Sequence, residues 1–219
     1  MSGITYDYME EYLRGLIGET NNALKELEEY AEKNRVPIAQ KETANFLEFM
    51  INLKKPKKIL ELGTAIGYSA ILMAMTSSSI EKIVTVERDE NMVNIARDNI
   101  KRFNLEDKIE VVQGDCLELL EGLSNKYEGQ FDIIFMDAGK GHYNHFLPYC
   151  LKLMAKEGII IADNVLFRGM VASKELAVRR KITIIKRMRK YLELVSDKEK
   201  FITSVIPMGD GIAVTMRRD

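Results

Sequence analysis

With 219 residues, 46% hydrophobic and 30% charged, the chain has material for one sizeable core and the composition of an ordinary globular domain. No apolar run approaches the roughly 18 residues of a membrane span, and "MSGITYDYMEEY" lacks the basic and apolar segments of a secretory signal. A net charge of −1 excludes nucleic-acid binding through overall basicity, leaving only a local patch, and Cys116 and Cys150 with two histidines make neither a disulfide framework nor a zinc site, so a reduced, cytoplasmic setting is expected.

In chain order, residues 5–34 read as helices, because Leu13, Leu16, Ile17 and then Leu24, Leu27, Tyr30 and Ala31 recur at three- and four-residue spacing. Pro37 interrupts the pattern, and Lys41–Leu53 resumes it, which makes residues 1–53 a helical cap on a single domain spanning 1–219. From Pro56 apolar strands alternate with helices. Strands are expected at 57–62, 82–87, 108–113, 131–137 and 158–163, and helices at Ser69–Thr76, Asp89–Phe103, Leu117–Leu123 and Tyr143–Leu153. Glu175–Tyr191 reads as a long basic helix. "FITSVIP" and "GIAVTMR", joined by "MGDG", must pair antiparallel. The sum is an α/β fold: a doubly wound, Rossmann-like, seven-stranded sheet with helices on both faces and an antiparallel C-terminal hairpin.

Open parallel sheets bind ligands beyond the carboxyl ends of their strands. Glu61, Glu87, Asp115, Asp137 and Asp163 all fall at or just past such ends. Five acids converging on one rim suggest a site.

"LELGTAIGYSA" (60–70) reads as strand, tight loop and helix, with Gly63 and Gly67 allowing a ligand close to the backbone. Thr64-Ala65-Ile66 separates the glycines, so this is not GxGxxG and a nicotinamide dinucleotide is disfavoured. Glu87 stands where an acid commonly accepts ribose hydroxyls; the plainer alternative is a glycine turn beside a surface glutamate. E-x-G-x-x-x-G followed by an acid ending the second strand resembles class I S-adenosylmethionine-dependent methyltransferases, and "GDCLELL" is similar to that fold's adenine-side loop. The resemblance spans nearly the whole chain and implies that Ala39, Gly63, Ser69, Glu87, Asp115 and Asp137 line the methyl donor's site, Ala39 by register alone.

Asp137 ends the fourth strand, and "ADN" puts Asp163 and Asn164 at the end of the fifth. Neighbouring strands lie about 4.8 Å apart, so these three hard oxygen donors can meet in one small volume, which suits Mg²⁺ and not zinc. Without a cation, two acids so close would repel. Lys140, three residues after Asp137, is a poor base alone but becomes an effective one beside a divalent cation, which also acidifies a bound hydroxyl. The alternative is two helix-capping acids and a solvated lysine. The set is similar to the metal-dependent catechol and caffeoyl-CoA O-methyltransferases, a resemblance that makes Asp137, Asp163 and Asn164 the Mg²⁺ ligands and Lys140 the catalytic base.

From Arg168 to Lys190 nine basic residues (Arg168, Lys174, Arg179, Arg180, Lys181, Lys186, Arg187, Arg189, Lys190) face one acid, Glu175. A solvated helix with Ile182, Ile184, Ile185 and Met188 inward explains the apolar positions but not the scarcity of acids, which phosphate contacts would require. "VPI", "PKKILELGTAIGYSA", "DNVLFRG", "RRK" and "IPMGDGIAV" resemble the bacterial tRNA 5-hydroxyuridine methyltransferases, which implies a wobble hydroxyuridine of the tRNA anticodon loop as acceptor and a homodimer as assembly. Arg168, Arg179 and Arg180 are the candidate tRNA contacts, and Tyr143 and Phe167 candidate stacking partners, with core packing the alternative for Phe167. A small catechol-like phenol is the competing acceptor, and a non-catalytic RNA-binding module the competing class.

Overall fold

The computed structural model describes residues 4–19, 21–173 and 175–218, so Lys174 of the basic run lies outside the described residues. Helices α1 (Asp7–Ile17), α2 (Asn22–Asn34) and α3 (Lys41–Lys54) come first. Gly18, at φ 76°, ends α1, and the Asn21 side chain starts α2 by accepting the Ala23 N–H. On α2 the buried residues are Leu24, Leu27 and Ala31, the spacing that marks one helical face. Helix α1 is different: Tyr8, Tyr12, Leu13 and Leu16 are exposed and only Glu10 is buried. It is fastened to α3 by Arg14, which donates to Glu42 at 2.7 Å.

The sheet comprises β1 (Lys58–Leu62), β2 (Lys82–Glu87), β3 (Ile109–Gln113), β4 (Phe131–Met136), β5 (Met154–Ala162), β6 (Phe201–Ile206) and β7 (Ile212–Arg217) in the order β3-β2-β1-β4-β5-β7-β6. The first five run parallel, while β7 is antiparallel to both β5 and β6. Ile59, Ile133, Phe135, Ile159 and Ile161 enter the core shared with α2, α3, α4 (Tyr68–Thr76) and α5 (Glu90–Arg102). Leu60, Leu62, Ile134, Met136 and Ile160 enter the core shared with α6 (Cys116–Lys126), α7 (Tyr143–Leu153) and α8 (Ile182–Val195). Burial on both faces is why these strands read as continuous apolar runs. No helix of the described residues is long and apolar enough to cross a membrane.

The basic helix differs from its expected bounds. Residues 175–178 are not helical, Arg179–Lys181 form a single 3₁₀ turn, and α8 begins only at Ile182. Three successive cations at a helix start oppose the macrodipole, and no side chain caps that end. At its other end α8 runs past Tyr191 because Val195 continues the buried stripe.

Candidate functional site

The register fixes the rim. Leu62 pairs with Met136 and Met136 with Ala162, so β1, β4 and β5 end level with one another. The next residues stay tied: Asp137 N–H donates to Leu62 O at 2.9 Å and Asp163 N–H to Met136 O at 3.0 Å. Gly63, Asp137 and Asp163 thus stand side by side. A Cβ at Gly63, whose φ is 105°, would come within 3.0 Å of the Asp137 carbonyl, so glycine is required there sterically as well as conformationally.

Above the rim lies a cavity of about 480 Å³, walled by Gly63, Glu87, Asp115, Asp137, Lys140, Asp163 and Asn164 among others. Seven of the residues predicted for donor, metal or base therefore share one space. Glu87 accepts from Ala65 N–H at 2.9 Å and from the Arg88 and Asp89 amides, drawing the glycine loop towards the end of β2. Asp115 caps α6 through Leu117 N–H and borders the same cavity.

Two predicted donor residues are not among its walls. Ala39 is packed in the core, and its neighbours Ile38 and Gln40 line the cavity instead. The Ser69 hydroxyl is buried and donates to Glu61 at 2.5 Å. Tyr143, a candidate stacking partner, is wholly buried, with its hydroxyl donating to the Met136 and Asp163 carbonyls, so no base can reach its face. Phe167 packs into the core with the Lys181 ammonium 5.7 Å from its ring centre.

Glu61 is one residue short of the strand end and completely buried, accepting from Ser69 and from Thr85, each at 2.5 Å. Burial pushes its carboxyl up to about 7; the two hydroxyls pull it down and Glu87 raises it further. Because the folded value exceeds the unfolded one, the native state holds the extra proton between about pH 4.5 and 7, and stability falls as pH rises through that window. The loss is on the order of 3 kcal/mol. Glu61→Gln is therefore expected to melt within a degree or two of the parent at pH 4.5 and roughly 6–12 °C above it at pH 8. A difference independent of pH in thermal denaturation scans would refute the assignment.

Among the described residues no hydrogen-bond donor reaches the Asp137 carboxylate. Burial first, and Asp163 next, push its carboxyl up, while Lys140 draws it down. Asp163 is raised by burial too, against the Asn164 amide, Lys140 and Thr43, and Asp210 pushes it higher. Its Oδ1 accepts Asn164 N–H at 2.6 Å and its Oδ2 the Thr43 hydroxyl at 3.3 Å, which fixes the carboxylate from both sides. Two acids and an amide around one ammonium retain excess negative charge, and such a set fits a hard divalent cation. No group of three or more His, Cys, Asp or Glu is placed to hold a metal among the described residues; beside Asp137 and Asp163 the cavity wall carries the Asn164 amide.

Sequence reasoning missed Gln40, Arg88, His142 and Phe146 in the cavity wall, and Thr43 and Asp210 behind it. The "MGDG" turn held a signal for Asp210: an acid just before β7, the strand whose pairing with β5 brings it to the same rim.

An O-methyltransferase family model matches residues 16–218. A catechol O-methyltransferase of Niastella koreensis is 30% identical over 173 residues, 78% of each chain. A caffeoyl-CoA O-methyltransferase of Stellaria longipes is 31% identical over 206 residues, covering 89% of this chain and 83% of its own. The crystal structure of a Bacillus cereus O-methyltransferase in complex with SAH superposes with a TM-score of 0.84 at 28% identity, covering 96% of this chain and 97% of that one. The glycine loop, the acid ending β2 and the antiparallel β7 thus belong to one architecture, and the chain is a member of the O-methyltransferase family, the class I S-adenosylmethionine-dependent enzymes of the catechol and caffeoyl-CoA type.

Proposed function

We propose that this chain methylates a metal-chelating hydroxyl, with 5-hydroxyuridine at the wobble position of a tRNA anticodon loop as acceptor and 5-methoxyuridine as product. Asp137, Asp163 and Asn164 hold Mg²⁺, which when bound acidifies a hydroxyl at the rim. Lys140 takes that hydroxyl's proton, Gly63, Glu87 and Asp115 hold the S-adenosylmethionine, and the oxygen takes the methyl group from the sulfonium as S-adenosylhomocysteine leaves.

The observation that carries the acceptor is where the basic segment sits. Arg187 donates to Gly141 O at 3.2 Å, and Ile184 lies against Gly141, the residue after Lys140. That end of α8 therefore borders the turn bearing the proposed base. Not every cation there is available: Arg189 is spent on the Val171 and Met170 carbonyls, and Lys190 pairs with Glu193. Arg168, Arg179, Arg180 and Lys186 are exposed, and none is in an ion pair among the described residues. Unneutralised cations beside a catalytic rim favour a polyanionic acceptor. For the homodimer expected from the resemblance, α1 offers an exposed apolar surface at Tyr8, Tyr12 and Leu16.

A small catechol-like phenol is the second reading, favoured by the names of the relatives above. The double variant Arg179→Glu/Arg180→Glu separates the two. On an anticodon stem-loop carrying 5-hydroxyuridine it is expected to lose about 100-fold in kcat/KM, while 3,4-dihydroxybenzoate turnover stays within about twofold. Equal activity of variant and parent on the stem-loop, or a parent active only on the phenol, hands the assignment to the second reading.

A further inference from the structure

The turn between β6 and β7 grips the segment that follows Asp163. Gly211 O accepts Val165 N–H at 2.9 Å and Asp210 O accepts Leu166 N–H at 3.0 Å. The Asp210 carboxylate, itself 7% exposed, accepts Arg168 N–H. Between these three bonds the chain takes an unusual course: Asn164, Phe167 and Arg168 have φ of 59°, 46° and 54°. Non-glycine residues hold such angles only where their surroundings dictate them. The packing is equally tight, since a Cβ at Gly211 would overlap the Leu166 side chain. Burial raises the Asp210 carboxyl, against the Arg168 amide and the charges of Lys140 and Arg168, so the group also belongs to the electrostatics of the rim.

We infer that Asp210 is a positioning residue: with Gly211 it clamps residues 164–168 in their left-handed course and thereby aims the Asn164 amide at the cation. Asp210 is not itself a ligand. The inference rests on the reading of Asn164 as a ligand given above.

Mn²⁺ binding, followed by loss of the paramagnetic signal of the free aqueous ion, tests this without turnover. Asp210→Asn keeps an oxygen for the Arg168 N–H, whereas Asp210→Ala removes it. Asp210→Ala is expected to weaken Mn²⁺ binding by about tenfold or more, and Asp210→Asn by less than about threefold. S-adenosylhomocysteine affinity should be unchanged in both, because its site lies at the glycine loop. Should Asp210→Ala fail to fold, Gly211→Ala keeps the carboxylate, presses on Leu166 and is expected to show the same selective Mn²⁺ defect. Parental Mn²⁺ affinity in the alanine variant overturns the clamp. So do equal losses in Asp210→Ala and Asp210→Asn, or a parallel loss of S-adenosylhomocysteine binding. If the parent itself binds no Mn²⁺, the ligand reading fails first and the clamp with it.

Discussion

Lys140→Met is expected to lower kcat for methyl transfer by about 10²–10⁴-fold while leaving S-adenosylhomocysteine affinity within about twofold. Methionine keeps most of the side chain's length and removes only the amine. Lys140 is the cation that acts on both Asp137 and Asp163, so its loss deepens the negative potential of the rim. Divalent-ion affinity should therefore stay the same or tighten as turnover collapses. A lysine that merely neutralised the two acids would show the same tighter ion binding but leave turnover intact. Steady-state kinetics alongside a Mn²⁺ titration distinguishes these outcomes, and a kcat within about threefold of the parent removes the base role.

Chelation is the second large effect. Treatment with EDTA is expected to reduce activity by about 10²-fold or more, with Mg²⁺ restoring it. The companion variant, Asp163→Asn, carries two effects of opposite sign. Activity falls because the amide cannot supply the ligand charge. In chelator, however, the protein should melt a few degrees higher, because Asp137 and Asp163 are both raised by burial and Asp163 raises Asp137 further. Removing one charge relieves the other. An Asp163→Asn protein that melts lower than the parent in EDTA would show that the two carboxylates do not oppose one another, and activity undiminished by chelator would remove the ion from the reaction.

What could be read beforehand divides along physical lines. Strands buried on both faces announce themselves as apolar runs, so the ends of β4 and β5, and with them Asp137, Lys140, Asp163 and Asn164, could be placed side by side from order alone. The hairpin was equally legible, because so short a link as "MGDG" permits only antiparallel pairing. Thr43 was not: its hydroxyl meets Asp163 across 120 residues of chain, and no periodicity encodes that contact. The start of α8 was misplaced because apolar spacing ignores what three adjacent cations do to a helix terminus. Ser69 and Ala39 were placed by resemblance, and packing turns the first toward Glu61 and the second into the core.

Helix α1 has few contacts of its own, yet its anchor is not remote from the chemistry. Arg14 holds Glu42, and Glu42 is the immediate neighbour of Thr43, whose hydroxyl steadies Asp163. An affinity tag, a truncation or an antibody that prises the first helix away would tug on a thread leading to the Asp163 carboxylate. Helix α1 is thus joined, through Arg14, Glu42 and Thr43, to the rim at Asp163.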